Sequence, residues 1–148
     1  MRYWLMKSEP NVYSIEDLKR DKQTIWDGVR NYQARNFLRQ MQPRDLVFFY
    51  HSKTKPPGIM GLMEIIDSNV VDPTQFDPKS NYYDPKSNPE APRWQTVKVK
   101  FERQFTQIIS LDTLKQEFSD RELLIVKKGN RLSVMPVLEE VAKKIIRF

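Results

Sequence analysis

Trp26-Asp27-Gly28-Val29-Arg30-Asn31-Tyr32-Gln33-Ala34-Arg35-Asn36 holds a turn, a helix cap and the start of a helix in succession. Gly28 supplies the turn, because glycine alone enters left-handed backbone without steric cost. Asn31 can cap the helix after it, its side-chain oxygen taking an otherwise orphaned backbone N–H. Beyond it Ala34, Phe37, Leu38 and Met41 recur at helical spacing and predict an inward stripe. Asn31, Arg35 and Arg39 fall on a different, polar face of the same helix. Pro43 stops it.

Working outward, Arg2 to Ser8 reads as a strand halted by Pro10, and Ser14 caps a short helix with early acids at Glu16 and Asp17. Leu46 to Tyr50 and Gly58 to Ile66 are apolar runs of buried-strand length. The basic segment Lys53-Thr54-Lys55-Pro56-Pro57 joins them like an enlarged hairpin tip. From Asp67 to Arg93 periodicity is lost, and Asp77-Pro78-Lys79-Ser80-Asn81 recurs as Asp84-Pro85-Lys86-Ser87-Asn88. Two copies cannot build a solenoid, so this segment is expected to be a long ordered loop. Val97, Val99 and Phe101 alternate with charged residues as a half-buried strand, and Trp94 has the parity of its wet face. Ser110 caps a helix that turns Leu111, Leu114 and Phe118 inward. Leu123 to Val126 suits a short strand, and a final helix is expected from near Ser133, with Pro136 in its first turn. Several strands with few long helices between them give an α+β class, a mixed and partly closed barrel with flanking helices.

The chain has 148 residues, 39% of them hydrophobic, which suits one domain spanning 1–148 with an ordinary core. Twenty-five Lys and Arg against 19 Asp and Glu leave a net charge of +6. Such a surplus attracts nucleic acid or anionic membrane, or serves solubility alone. No cysteine is present and the one histidine is His51, so a structural zinc centre or a two-histidine catalytic zinc site cannot be assembled. Four glycines, none in a phosphate-loop pattern, leave no Walker or Rossmann signature. No apolar run reaches membrane-spanning length. The expectation is a soluble monomer without metal, cofactor or catalytic residue, cytoplasmic, or nuclear in a eukaryote.

Residues 26–52 crowd aromatic rings, amides, hydroxyls and arginines together. A planar base needs faces to stack on and polar groups to read its edge, while arginines suit the flanking phosphates. By residue type alone Trp26 fits either a stacking face or the core, and His51 either a ligand contact or a hydrogen-bonded structural role.

Met6-Lys7-Ser8-Glu9-Pro10, Trp26 to Asn36 and Phe48-Phe49-Tyr50-His51-Ser52 resemble the EVE domain. Gly58-Ile59, Gly61-Leu62-Met63, Tyr83-Asp84-Pro85, Pro92-Arg93-Trp94 and Arg131-Leu132-Ser133-Val134 continue the likeness in order, and it spans nearly the whole chain. Two places depart from the family pattern: the tandem element in the 67–93 loop, and Glu139-Glu140-Val141 where relatives often carry an aromatic residue. The resemblance implies a PUA-like barrel and recognition of a modified base, a modified cytosine in DNA or a modified RNA base. It further implies a pocket lined by Lys7, Ser8, Trp26, Asn31 and Tyr32, with His51, Ser52 and Trp94 at its wall or mouth. Arg30 and Arg35, with Lys53 and Lys55, are expected on the nucleic-acid backbone. Two other readings stand beside this one. One is a hydrolase using His51 with Asp84 or Glu9; the other is a protein-interaction domain built on Trp94 and the proline-rich loop.

Overall fold

A computed structural model describes all residues, Met1–Phe148. Its frame is a six-stranded mixed sheet ordered β2-β5-β4-β3-β1-β6, from β1 (Tyr3–Ser8), β2 (Gln23–Ile25), β3 (Leu46–His51), β4 (Gly58–Val71), β5 (Gln95–Ser110) and β6 (Val134–Val137). Only the β1–β3 pair is parallel, with Lys7 opposite Tyr50 and Ser8 opposite His51. The sheet is open, with β2 and β6 at its edges.

Strand alternation divides the core in two. Trp4, Met6, Val47, Phe49, Met63, Ile65, Val97 and Val99 share one apolar cluster. Leu5, Phe48, Tyr50, Ile59, Leu62 and Ile109 belong to the other. Each sheet face therefore buries its own set. This is why β1 and β3 read as unbroken apolar runs rather than as alternating ones. Helix α1 (Ile15–Asp21) and helix α2 (Tyr32–Gln40) cover the first face, placing Ile15, Leu18, Ala34 and Leu38 in its cluster. Helix α3 (Leu111–Glu117) and helix α4 (Glu139–Ile146) cover the second with Leu114, Val141, Ala142 and Ile145.

Local chemistry sets the helix starts. Ser14 and Asp17 form a reciprocal capping box, and Asn31 accepts from the Ala34 N–H at 2.9 Å. Ser110 caps α3 as expected, with Phe118 buried at its end.

Three expectations are corrected. Val134–Val137 is an edge strand pairing with β1, so the last helix starts at Glu139. Pro136 fits there because an edge strand need not donate on its outer side. Leu124–Val126 is a single 3₁₀ turn, not a strand. The segment after Ile66 stays in β4 as far as Val71, paired with Gln95. Only beyond a short 3₁₀ turn, Pro73–Phe76, does the long loop begin. No helix is long and apolar enough to cross a membrane.

Candidate functional site

A cleft of about 440 Å³ opens where the C-terminal end of β1, the segment after β2 and the long loop converge. Lys7, Ser8, Trp26, Asp27, Arg30 and Tyr82 form its principal walls, and Val12, Ile25 and Val29 add apolar surface.

Trp26 is 8% exposed, and its ring meets Phe49 edge-on at 5.4 Å. It is at once a core residue and the floor of the cleft. Its carbonyl accepts from the Thr96 hydroxyl, and its N–H donates to the Val97 carbonyl at 2.9 Å. Gly28 follows with φ +85°, and a methyl group there would stand 2.7 Å from the Tyr82 ring. Glycine is thus required twice, for left-handed backbone and for contact with the opposite wall.

Arg30 fixes that wall. Its guanidinium pairs with Asp72 at 3.0 Å, a carboxylate side chain only 2% exposed. It also donates to the Tyr82 carbonyl at 2.7 and 2.9 Å and to the Thr74 hydroxyl at 2.9 Å. Asp72 in turn accepts from the Gly28 N–H at 2.8 Å. The buried amide of Gln75 closes the loop on itself. It donates to the carbonyls of Asp72 and Trp94 and accepts from the Ser87 hydroxyl and the Trp94 N–H. The two copies of the tandem element fold alike, Lys79 N–H donating to Asp77 at 2.9 Å and Lys86 N–H to Asp84 at 3.0 Å. Tyr82 sits between them.

The polar groups of the cleft have distinct capacities. The Ser8 hydroxyl donates its only proton to the Tyr13 carbonyl at 2.5 Å, so toward the cleft it offers lone pairs. Asp27 makes no hydrogen bond to another residue; desolvation of its carboxyl foremost, with Asp72 nearby, raises its pKa above the ordinary range, although the residue as a whole is exposed. Lys7 is half-buried without an acidic partner, and that burial lowers its pKa.

The other nominated residues lie outside this cleft. Asn31 spends its side-chain oxygen on the α2 cap and borders a neighbouring hollow. Tyr32 stacks on Trp94 at 4.9 Å and 17°, with the Arg35 guanidinium 4.7 Å from the Tyr32 ring. Trp94 is 5% exposed and donates its indole N–H to Asp84 at 2.8 Å. Arg35 also donates to the Arg93 carbonyl at 3.0 Å. These residues form an aromatic–cation stack that pins the loop to α2, with Tyr32 as its exposed outer ring. His51 is buried, and its Nε2 accepts from the Ile15 N–H at 3.1 Å; burial lowers its pKa, consistent with the neutral ring that this hydrogen bond requires. Ser52 continues the backbone pairing with Ser8, its N–H donating to the Ser8 carbonyl at 3.0 Å. Lys53 stands 3.7 Å from Glu9, and Lys55 is exposed beside it on the same tip.

Asp27 and Tyr82 are cleft residues that the sequence pattern does not single out. Asp27 lies within the 26–36 stretch, but an acid is neither a stacking face nor a cation. Tyr82 carries a usable signal, an aromatic pair with Tyr83 between two polar repeats.

The profile of the EVE domain matches residues 2–148. Thymocyte nuclear protein 1 of Mus musculus is 45% identical over 156 residues, covering 93% of this chain and 69% of that protein. A crystal structure of a Pseudomonas syringae protein superposes with a TM-score of 0.94 at 48% identity, covering 98% of this chain and 97% of that one. The crystal structure of human THYN1 protein in complex with 5-methylcytosine-containing DNA superposes with a TM-score of 0.91 at 40% identity, covering 99% and 96%.

Proposed function

We propose, from the premise that this chain belongs to the EVE domain family, that it is a DNA-binding module reading a modified cytosine, without catalysing a reaction. The observation that carries the proposal is the match between the groups of the cleft and a cytosine edge. Cytosine presents an exocyclic amino donor beside two acceptors, its ring nitrogen and carbonyl. Asp27 and the Ser8 lone pairs can receive that amine. Tyr82 provides a ring held by Arg30, and Val12, Ile25 and Val29 offer apolar surface to a methyl substituent. A base inside a duplex cannot reach such a cleft, so the target nucleotide must leave the stack, at a cost of a few kcal/mol.

The structural neighbour bound to 5-methylcytosine-containing DNA supports DNA over RNA as the partner. Catalysis by His51 lacks support, because its Nε2 is committed to Ile15 outside the cleft. A DNA partner places the protein in the compartment that holds DNA, the cytoplasm of a bacterium or the nucleus of a eukaryote.

Tyr82→Ala tests the reading. It should weaken binding of a 5-methylcytosine oligonucleotide by about 1–3 kcal/mol, the range for removing one base–aromatic stack. The melting temperature should change little, because the two Arg30 hydrogen bonds to the backbone carbonyl of residue 82 survive the substitution and only the weaker cation–ring contact at 5.8 Å is lost. Asp27→Asn should narrow the preference for cytosine over thymine at the same position. Unchanged affinity for the modified oligonucleotide in both variants would place base recognition elsewhere.

A further inference from the structure

Two further hollows share the turn Lys127-Lys128-Gly129-Asn130, and the first of them meets the cleft at Lys7. The first is lined by Lys7 and Lys115 with that turn, over a floor that includes Tyr50 and Ile125. The second adds Arg131 and, from the start of α2, Asn31 and Gln33. Neither hollow has an Asp or Glu among its lining residues. None of Lys7, Lys115, Lys127, Lys128 and Arg131 takes part in an ion pair, although six such pairs exist elsewhere in the molecule.

The turn that presents these cations is built to hold its shape. Its closing N–H, of Asn130, donates to the Lys127 carbonyl at 3.1 Å, and Gly129 has φ +79°. The Asn130 side chain donates to the Leu124 carbonyl at 2.8 Å and accepts from the Leu132 N–H at 3.0 Å. A methyl group at Gly129 would meet nothing within 4 Å, so the outer side of the turn is open. Lys127, Lys128, Lys115 and Arg131 are all exposed. Lys7 is different. It is half-buried, and it lines both the base cleft and the first hollow, so it stands at the passage between them.

A row of uncompensated cations leading from a base-sized cleft is complementary to a strand with a phosphate at every nucleotide. We propose that the groove of Lys115, Lys127, Lys128 and Arg131 carries the sugar–phosphate backbone of the bound DNA, and that Lys7 receives the phosphate next to the nucleotide whose base enters the cleft. This path rests on the DNA-binding reading for its ligand, but its geometry comes from a separate surface. It moves the backbone away from Arg30 and Arg35, whose guanidiniums are already engaged within the protein. A half-buried ammonium without a counter-charge is poised for a phosphate, which would restore the preference for the charged form that burial weakens.

The test compares two probes, a duplex oligonucleotide carrying one 5-methylcytosine and the free nucleoside 5-methyl-2′-deoxycytidine. Lys127→Ala combined with Lys128→Ala should cut oligonucleotide affinity at least tenfold at low salt. It should also flatten the plot of log affinity against log salt by about 0.9 for each phosphate no longer neutralised. Nucleoside binding and the melting temperature should not change. Lys7→Gln should weaken the oligonucleotide and spare the nucleoside. Wild-type oligonucleotide affinity and salt slope in the double variant would overturn the backbone path. Equal loss of both probes in Lys7→Gln would overturn the phosphate assignment and make Lys7 a base contact. Lysine-dependent binding of phosphatidylserine vesicles, with no effect on DNA, would replace the strand by a membrane surface. Groove-dependent binding of unmodified and modified DNA alike, with no nucleoside binding, would uphold the groove and overturn modified-base reading.

Discussion

The segment 26–36 and the segment 115–131 are both basic, yet they use their cations in opposite ways. Arg30 and Arg35 point their charge into the protein, onto Asp72, backbone carbonyls and the rings of Tyr32 and Trp94. Lys115, Lys127, Lys128 and Arg131 are exposed, form no ion pair and line hollows that hold no acid. Arginine suits the first task, since its planar fork serves several acceptors at once and lies flat on aromatic rings. Lysine suits the second, as a hydrated point charge on a flexible stem. The same formal charge therefore stabilises architecture in one segment and leaves attraction free in the other.

The comparison breaks most visibly at Arg30. Arg30→Ala leaves the Asp72 carboxylate buried and unpaired, and unfolding by denaturant should show a loss of about 3 kcal/mol, the lower end for breaking a buried pair. A loss under about 1 kcal/mol would mean that the clamp is ornamental and that Arg30 is available to DNA after all. Gly28→Ala should have the next largest effect, about 1–2 kcal/mol for the left-handed backbone alone. The added methyl should also push the Tyr82 ring and displace that wall, so oligonucleotide affinity should fall together with the melting temperature. At the small end, Lys127→Ala and Lys128→Ala should each alter stability by no more than about 0.5 kcal/mol in the same unfolding assay. A larger loss would show that these lysines support the turn and would erase the contrast between the segments.

Much of the fold is legible in the sequence because local chemistry and tertiary placement agree. Asn31 caps α2, and the stripe of Ala34, Leu38 and Met41 is buried, as the spacing requires. Ser14 and Ser110 likewise mark true helix starts. The 134–137 strand is hidden by Pro136 and by the Glu–Lys spacing after it. Glu139 does pair with Lys143 at 3.3 Å, but that signal marks the helix body and not its beginning. Asp67, Ser68 and Asn69 interrupt the apolar run with polar residues, so no continuous signal betrays the pairing of this stretch with β5.

The site divides along the same line. Lys7, Ser8 and Trp26 border the cleft because β1 and the residues after β2 end beside each other. The lysine turn is invisible in the sequence for a different reason. Its nearness to Lys7 is created by the β1–β6 pairing, continued where the Lys7 N–H donates to the Ser133 carbonyl at 2.9 Å. Sequence places those residues more than a hundred positions apart, and the strand that joins them carries the signals of a helix start.

The two Asp-Pro-Lys-Ser-Asn copies carry a lesson for protein engineering. Each makes the same turn, although one ends beside the ring wall of the cleft and the other anchors Trp94 and Gln75. Identical words spoken in two different neighbourhoods keep one pronunciation, so the turn is dictated from within. Such a unit is portable: inserted between strands of another scaffold, it should bring its bend along, and its seven-residue spacing sets the increment by which a loop of this kind could be lengthened.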